Sequence, residues 1–403
     1  MEDEYVNDLI DRFTSHDQFL GLTGIQGCLK ELGNPESNYM ALQVTGTNGK
    51  GSICALIKES FNNLDILVGT TISPHLSIWE ERICVGKNLI TAEELRELLI
   101  EIGPISKCYS LTPFELITTV ALIYFNCKKV NLAILEVGLG GRLDATSVHP
   151  HRQIVGFASI GEDHREFLGN DLISIAREKA GILSPGAIAI SAPQKKEVAI
   201  VLEQEANRVG AFLRWVEPLN WPCNMQGRIQ QYNSAVALGM IEALAPLGWS
   251  LSKFSIYEAF QKANWQGRLQ IVSWHGHEIL LDGAHNIPAA KALRYQLDDN
   301  GVTSVCWVIG ILANKDAPQM LEILLNPDDQ VWIVPVPDHN SWSVELLKEK
   351  CTNQGYKLRD GVNLHEALVL AKNKAISSNS TIVIAGSLYL IGNFLSLSNL
   401  ARQ

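Results

Sequence analysis

The amino-acid sequence predicts an α/β protein whose sheets are mostly parallel. Apolar runs of strand length alternate repeatedly with amphipathic helical segments, which is the pattern of a parallel sheet covered by helices. The longest apolar runs, such as Leu132–Val137 and Thr381–Ala385, are far shorter than the ~20 residues that span a bilayer. They therefore indicate buried strands, and we expect no association with a membrane.

The predicted elements follow this alternation along the chain. The predicted strands include Ala41–Thr45, Leu132–Val137, Ile154–Ile160, Ala187–Ser191, Ile279–Asp282, Val305–Ile309, Val331–Pro335 and Ile382–Ala385. The predicted helices between them include Ile53–Phe61, Ala92–Ile102, Pro113–Phe125 and Leu172–Ala180.

The length and composition of the chain favour two domains. Its 403 residues are 46% hydrophobic and 19% charged, which is enough to bury a large core. The stretch Asn264–Arg268 follows a long helical region and precedes a new series of strands and helices. We place the junction there, which predicts one domain of residues 1–264 and a smaller α/β domain of residues 265–403.

Charge and cysteine content limit the classes of partner. A net charge of −10 and a pI near 5.5 argue against nonspecific binding of nucleic acid, which needs a basic surface. The eight cysteines form no CxxC pair, which argues against a disulfide framework or a zinc site. The acidic segment Met1–Glu4 carries no secretion or import signal, so we expect a cytoplasmic protein.

A glycine loop with one lysine predicts a phosphate-binding site. Strand Ala41–Thr45 runs into the loop Gly46–Ser52, and a helix-compatible segment follows. Glycines let several N–H groups face one anion, the helix N-terminus adds positive potential, and Lys50 supplies a mobile charge. Ser52 offers a hydroxyl where a phosphate-bound Mg²⁺ would lie. The spacing departs from the standard P-loop, and the alternative is a glycine-rich turn with a solvated lysine.

Two acidic motifs follow predicted strands and favour a metal site. Glu136 ends one apolar run, and Asp163 and His164 follow another, so we expect these side chains at the carboxyl ends of parallel strands, where ligands bind. An acidic residue there is a common partner of the Mg²⁺ that accompanies a phosphate loop. The alternatives are a helix or loop cap for Glu136 and a core or surface histidine for His164.

The motifs together resemble a known family. The loop Gly46–Ser52 resembles the ATP loop of the Mur ligase superfamily, and its Lys-Gly-Ser ending resembles the folylpolyglutamate synthase/dihydrofolate synthase branch. Further segments resemble signatures of that branch: Ser73–His75, Glu81–Ile83, Leu135–Thr146, Asp163–His164, Leu168–Gly169, Arg177–Ile182, Asp282–Asn286, Lys315–Asp316 and Gly386–Gly392. The resemblance extends over almost the whole chain.

The resemblance implies an ATP-dependent acid–amino-acid ligase. It implies an N-terminal P-loop ATPase-like domain with a mostly parallel sheet and a smaller C-terminal Rossmann-like domain. It further implies that L-glutamate is joined to dihydropteroate and to tetrahydrofolate (poly)glutamates through an acyl phosphate, with ATP and two Mg²⁺ ions. A monovalent cation is a further implied cofactor. We expect a monomer whose partners are these small molecules.

The resemblance also implies roles for individual residues. The implied ATP-binding residues are Thr47, Asn48, Gly49, Lys50, Gly51, Ser52, Asn233, Arg268, Asp282 and His285. The implied metal ligands are Ser52, Ser73, Glu136 and His164, and the implied catalytic residues are Lys50, Glu136, His164 and Lys179. Lys179 matches a lysine that is carbamylated in the family, and the implied pterin or folate contacts are Thr112, Phe114 and Asp144.

Three alternative functions stay open from the sequence. The first is a folylpolyglutamate synthase without dihydrofolate synthase activity. The second is a cell-wall Mur ligase, which the Lys-Gly-Ser ending and Gly386–Tyr389 disfavour. The third is a degenerate P-loop nucleotide-binding protein, which the joint presence of Lys50, Glu136, His164 and Lys179 disfavours.

Overall fold

The structure divides into two compact units. It is a computed structural model that describes residues 5–13, 21–62, 64, 66–351 and 357–398, so the acidic segment Met1–Glu4 lies outside the described residues. The first unit comprises Met1–Asn224 and Ile229–Asn264, and the second comprises Met225–Arg228 and Trp265–Gln403. The four residues Met225–Arg228 thus group with the second unit although they precede the predicted junction.

The first unit is built on one sheet. Its strands are β1 (Met40–Thr45), β2 (Val68–Thr71), β3 (Ile83–Val85), β4 (Asn88–Leu89), β5 (Leu132–Glu136), β6 (Ile154–Phe157), β7 (Ile188–Ser191) and β8 (Phe212–Trp215). Within the described residues the strand order is β4-β3-β2-β5-β1-β6-β7-β8. Strands β2, β5, β1, β6, β7 and β8 pair in parallel, and β3 is antiparallel to both β2 and β4. The predicted α/β class is confirmed.

Helices cover both faces of this sheet. They are α1 (Val6–Asp11), α2 (Thr23–Glu31), α3 (Lys50–Phe61), α4 (Ala92–Cys108), α5 (Pro113–Cys127), α6 (Arg165–Leu168), α7 (Leu172–Ala180), α8 (Lys196–Val209), α9 (Arg228–Glu242) and α10 (Lys253–Lys262). Short 3₁₀ helices occupy Pro35–Asn38, Trp79–Arg82, Ala145–Val148 and Ala245–Leu247. Two core clusters join α2, α4 and α5, and α7 and α8, to one face of the sheet, and α9 packs on Gly156 from the other face. Strand β5 is buried along its whole length.

The second unit is a smaller sheet with its own core. Its strands are β9 (Gln270–Trp274), β10 (His277–Asp282), β11 (Val305–Ile309), β12 (Gln330–Ile333), β13 (Leu358–Asp360) and β14 (Thr381–Ala385). Their order among the described residues is β13-β12-β11-β14-β10-β9, parallel except for β9. Its helices are α11 (Ile287–Asp299), α12 (Ala317–Leu324), α13 (Val344–Lys350), α14 (Leu364–Ser378) and α15 (Leu388–Leu397). Trp307 of β11 is fully buried in its core.

One predicted strand is shorter than the sequence suggests, and the difference matters for the site. The apolar run Ile154–Ile160 forms a strand only as far as Phe157. Beyond it, the N–H of Ala158 still donates to Thr45 O at 2.8 Å, and then Ser159 turns to the glycine loop. Ser159 therefore supports the loop instead of extending the sheet.

None of the described helices is both long enough and apolar enough to cross a membrane.

Candidate active site

The glycine loop joins β1 to α3 and is held in shape by the segment after β6. The N–H groups of Thr47 and Asn48 donate to Ser159 O at 2.7 and 3.3 Å. The hydroxyl of Thr47 donates to Gly161 O at 2.9 Å and accepts from Gly161 N at 3.0 Å. Gly49 has φ +101°, a conformation that favours glycine, and a Cβ there would lie 2.4 Å from Asn233 Oδ1.

Two lysines converge on the carbonyl of Gly46. Lys50 is the first residue of α3, and its Nζ donates back to Gly46 O and Thr47 O, each at 3.3 Å. Lys179 of α7 is 5% exposed, and its Nζ donates to Gly46 O at 2.9 Å. Burial, with the nearby charge of Lys50, lowers the pKa of Lys179 to about 7, although Asp163 and Asp144 act in the opposite direction. Near neutral pH a large fraction of Lys179 is therefore an uncharged amine.

Two polar side chains of α9 lie beside the glycine loop and the start of α3. Gln230 is 4% exposed and Asn233 is 1% exposed. Gln230 Nε2 donates to Ser52 Oγ at 3.3 Å, and Asn233 Nδ2 donates to Gln230 Oε1 at 2.9 Å. Asn233 therefore lies beside Gly49 within the first unit, and Gln230, to which the sequence assigned no role, links it to Ser52.

Two of the predicted metal ligands, Glu136 and Ser73, lie at the carboxyl ends of the neighbouring strands β5 and β2. Glu136 ends β5, is 5% exposed, and its Oε2 accepts from Ser73 N at 3.2 Å in the loop that follows β2. Burial raises the pKa of the Cys54 thiol well above its ordinary value, and the charge of Glu136 adds to that increase while Lys50 opposes it. The charges of Glu136 and Lys50 thus both affect the pKa of the same thiol in α3.

His164 lies close to the acidic residue that precedes it. Its Nε2 is 3.8 Å from Asp163 Oδ2, and its N–H donates to Asp163 Oδ1 at 2.9 Å. His164 adopts φ +51° and directly precedes α6. Asp163 also acts electrostatically on Lys179. The sequence noted Asp163 only as part of a motif, and the structure connects it to both His164 and Lys179.

Two of the predicted ligands offer the type of donor atom that Mg²⁺ prefers. Within the described ranges no three or more His, Cys, Asp or Glu side chains are grouped as a closed metal cage. The buried carboxylate of Glu136 and the hydroxyl of Ser52 are hard oxygen donors, which Mg²⁺ prefers. Mg²⁺ characteristically binds through one or two carboxylates together with waters and phosphates, so an open donor set suits it.

The motif Glu81-Arg82 orders the loop that carries Ser73. Glu81 accepts hydrogen bonds from the backbone N–H groups of Leu76, Ser77 and Ile78 at 2.6, 2.9 and 3.0 Å. Arg82 Nε donates to His75 Nδ1 at 2.9 Å, and its guanidinium lies 4.4 Å from the centre of a Trp79 ring. These contacts give both motif residues a positioning role that the sequence did not reveal.

The three residues predicted to contact a pterin have structural partners of their own. Thr112 caps the N-terminus of α5 and exchanges hydrogen bonds with Glu115. Phe114 packs so closely on Gly138 that a Cβ at Gly138 would lie 2.5 Å from its ring. Asp144 is buried and its carboxylate accepts hydrogen bonds from Gly138 N, Leu139 N, Thr146 N and Thr146 Oγ1.

These contacts limit the hydrogen-bond acceptor capacity that Asp144 has for a ligand. Four hydrogen bonds occupy both oxygens of its carboxylate, so the structure shows Asp144 as a cap for the loop that starts at Gly138. Burial raises the pKa of Asp144, and these hydrogen bonds oppose the rise. The pterin contact of Asp144 stays a prediction.

The remaining predicted nucleotide contacts lie in the second unit. Asp282 ends β10, and its Oδ2 accepts from Leu269 N at 3.0 Å. Burial raises the pKa of Asp282, while the charge of Arg268 and backbone N–H groups lower it. His285 Nδ1 lies 2.8 Å from Gly283 O, which favours a proton on Nδ1 and leaves Nε2 as an acceptor in the neutral ring. Arg268, Asp282 and His285 thus belong to one end of the second sheet, and their role stays a prediction.

A strand, a glycine loop and a helix that begins with lysine define a phosphate-binding site of the P-loop class, mounted here on a mostly parallel sheet. Comparison with known proteins identifies the family. A family model described as the C-terminal domain of dihydrofolate synthetase matches residues 268–397. Dihydrofolate synthetase of Saccharomyces cerevisiae is 30% identical, covering 94% of this chain and 98% of its own. The chain belongs to the dihydrofolate synthase/folylpolyglutamate synthase family of ligases.

Further relatives cover nearly the whole chain. Dihydrofolate synthase/folylpolyglutamate synthase of Escherichia coli is 31% identical over 95% of this chain and 92% of its own. Folylpolyglutamate synthase of Mycobacterium tuberculosis, solved with ADP and AMPPCP, superposes with a TM-score of 0.88 at 26% identity, covering 97% of each chain. FolC of Escherichia coli, solved with DHPP and ADP, superposes with a TM-score of 0.85 at 26% identity, covering 100% of this chain and 99% of that one.

Proposed function

We propose that the protein uses ATP to join L-glutamate to dihydropteroate and to tetrahydrofolate (poly)glutamates. The observation that carries the proposal is the convergence of Lys50 and Lys179 on Gly46 O, just after the strand that pairs with buried Glu136. Both substrate activities are supported by the relatives, because the Escherichia coli relative is named for both reactions. The solved relatives carry ADP or AMPPCP, which supports ATP as the phosphoryl donor.

The chemistry begins with activation of the folate carboxylate. A carboxylate oxygen attacks the γ-phosphorus of ATP, the bond from that phosphorus to the bridging oxygen breaks, and an acyl phosphate and ADP result. The amine of glutamate then attacks the acyl carbon, inorganic phosphate leaves, and the amine loses a proton as the amide forms. Lys50 offsets negative charge on the transferred phosphoryl group, and the N–H groups of the glycine loop hold the remaining phosphates in place.

Magnesium belongs to this proposal through the residues that would hold it. Glu136, Ser52, Ser73 and His164 would hold the two expected ions together with phosphate oxygens. When bound, Mg²⁺ neutralises phosphate charge and thereby favours attack at phosphorus. Histidine is an unusual ligand for Mg²⁺, so its inclusion rests on the family resemblance alone. The monovalent cation also rests on the resemblance.

Carbamylation of Lys179 is part of the proposal. An uncharged amine attacks CO₂, a new N–C bond forms, and one proton is released to give a carbamate. Since burial lowers the pKa of Lys179 to about 7, its amine is available for this reaction near neutral pH. The resulting carboxylate adds one more hard oxygen donor near the loop.

The second unit and the pterin contacts complete the proposal. We assign ATP contacts to Arg268, Asp282 and His285, and pterin contacts to Thr112, Phe114 and Asp144. We also propose that residues 1–264 and 265–403 act as the ATP-binding and glutamate-ligase domains. The protein acts as a monomer on small molecules in this proposal, with no nucleic-acid partner.

A substrate panel tests the function. ATP-dependent incorporation of labelled glutamate is measured with dihydropteroate and with tetrahydrofolate, and incorporation of the matching amino acid is measured with a nucleotide-linked Mur substrate. We expect both folate-type substrates to react and the Mur substrate to be inert. Activity on tetrahydrofolate alone would identify a monofunctional folylpolyglutamate synthase. No activity on any substrate, with ATP still bound, would favour a nucleotide-binding protein.

Lys50→Ala supplies the mechanistic arm of this test. Removal of one such electrostatic contact costs about 10²-fold or more in rate, without a packing defect. Lys58→Ala, in the same helix, is the matched control because Lys58 Nζ donates to Cys84 Sγ, away from the glycine loop. Near-normal turnover by a folded Lys50→Ala protein would contradict the phosphate assignment.

A further inference from the structure

Three buried side chains form a hydrogen-bonded series between α3 and α9. Gln230 Nε2 donates to Ser52 Oγ at 3.3 Å, and Asn233 Nδ2 donates to Gln230 Oε1 at 2.9 Å. Asn233 Oδ1 has no hydrogen-bond partner in the described part of the protein, although it is buried. It lies against Gly49 of the glycine loop. We call Ser52, Gln230 and Asn233 the amide relay.

The proposed function gives each end of the relay a ligand of its own. Ser52 is a proposed metal ligand, and the amide of Asn233 is a proposed nucleotide contact beside Gly49. Gln230 contacts both side chains, so its position limits the position of each.

From this geometry we infer that Gln230 couples the metal ligand Ser52 to the nucleotide contact Asn233, so that Mg²⁺ at one end of the amide relay strengthens nucleotide binding at the other. The inference rests on the proposed function, since it takes the loop as the nucleotide site. It makes Gln230 a positioning residue that acts through its two neighbours. The consequence is that Ser52 and Asn233 are energetically coupled, and that this coupling passes through Gln230.

A double-mutant cycle on nucleotide affinity tests the coupling. The dissociation constant of ATP with Mg²⁺, and of ADP without Mg²⁺, is measured by calorimetry for wild type, Ser52→Ala, Asn233→Ala and the double variant. We expect the Mg²⁺-dependent gain in affinity to show an interaction factor of about threefold or more between the two positions. The cycle is repeated with Gln230→Met, which removes both hydrogen bonds at similar size, and there the factor should fall to one.

The matched control is Gln231→Met, the same substitution one residue later on α9, where the side chain is only partly buried. In the Gln231→Met background we expect the same interaction factor between Ser52 and Asn233 as in wild type. Thermal unfolding is used to check that each variant is folded. Additive effects of Ser52→Ala and Asn233→Ala with Gln230 in place would overturn the relay even if Gln230→Met failed to fold. An undiminished factor in folded Gln230→Met would overturn it as well.

These outcomes are separate from failure of the proposed function. Wild type that binds nucleotide and ligates glutamate, but shows additive effects, leaves the ligase assignment intact and refutes the relay. Wild type that binds no nucleotide refutes both.

Discussion

His149 makes the stability of the first unit sensitive to acid. Its side chain is fully buried, its ring centre lies 5.2 Å from that of Tyr39, and its Nδ1 accepts from His151 N at 3.2 Å. Burial, with the nearby charges of Arg152 and His151, lowers its pKa from 6.5 to about 3. Below pH 6.5 the imidazole of His149 therefore becomes protonated in the unfolded chain but stays neutral in the folded protein.

The size of the effect follows from this difference in pKa. A lowered pKa leaves stability unchanged above pH 6.5 and reduces it as the pH falls from 6.5 toward 3. At pH 5, about 1.5 pH units below the unfolded value, the loss amounts to about 2 kcal/mol, since each unit is worth about 1.4 kcal/mol. Replacement by phenylalanine removes the titration while an aromatic ring still packs on Tyr39.

The measurement compares the pH dependence of two proteins. Urea unfolding of wild type and His149→Phe is followed by circular dichroism between pH 7.5 and pH 5. We expect wild type to lose about 2 kcal/mol more than the variant over this range. His365→Phe, which removes an exposed imidazole from the second unit, is the control. Equal losses in wild type and His149→Phe would refute the assignment of a buried, neutral His149.

Two further substitutions address the site. Glu136→Gln keeps the shape of the side chain but removes its charge, so we expect Mg²⁺-dependent turnover to fall about 10²-fold with little change in melting temperature; equal activity of variant and wild type at saturating Mg²⁺ would exclude Glu136 as a ligand of the catalytic metal. Asp144→Asn removes acceptor capacity that Gly138 and Thr146 use, so we expect destabilisation by about 1–3 kcal/mol in thermal unfolding. If instead stability holds and only the KM for dihydropteroate rises, Asp144 contacts the pterin and is not chiefly a cap.

The sequence predicted those buried strands that form a continuous apolar run, because such a run is what burial on both faces requires. Buried strand β2 was missed because its sequence, Val-Gly-Thr-Thr, is not an apolar run. Each predicted strand overlaps a strand of the structure, as Val305–Ile309 does without change. Edge strand β8 was missed because its residues alternate in exposure and Phe212 is 71% exposed. Edge strands β4 and β13 were missed because two or three residues carry no detectable period.

Apart from the family resemblance, the sequence predicted site residues only where they lie at the end of a recognisable apolar strand. The glycine loop and Glu136 stand directly after apolar strands, so their positions could be read from the sequence. Gln230 has no such marker, and its spacing of three residues from Asn233 on α9 was the one available signal. The lowered pKa of Lys179 depends on burial and on Lys50, which are tertiary properties that no local pattern contains.

The double hydrogen bond between Thr47 and Gly161 has a mechanical consequence. Because Thr47 Oγ1 both donates to and accepts from Gly161, the glycine loop cannot shift without moving the segment that leads to His164. A displacement of the glycine loop is therefore transmitted to the segment that carries His164. A substitution that removes the Thr47 hydroxyl would let the two segments move independently.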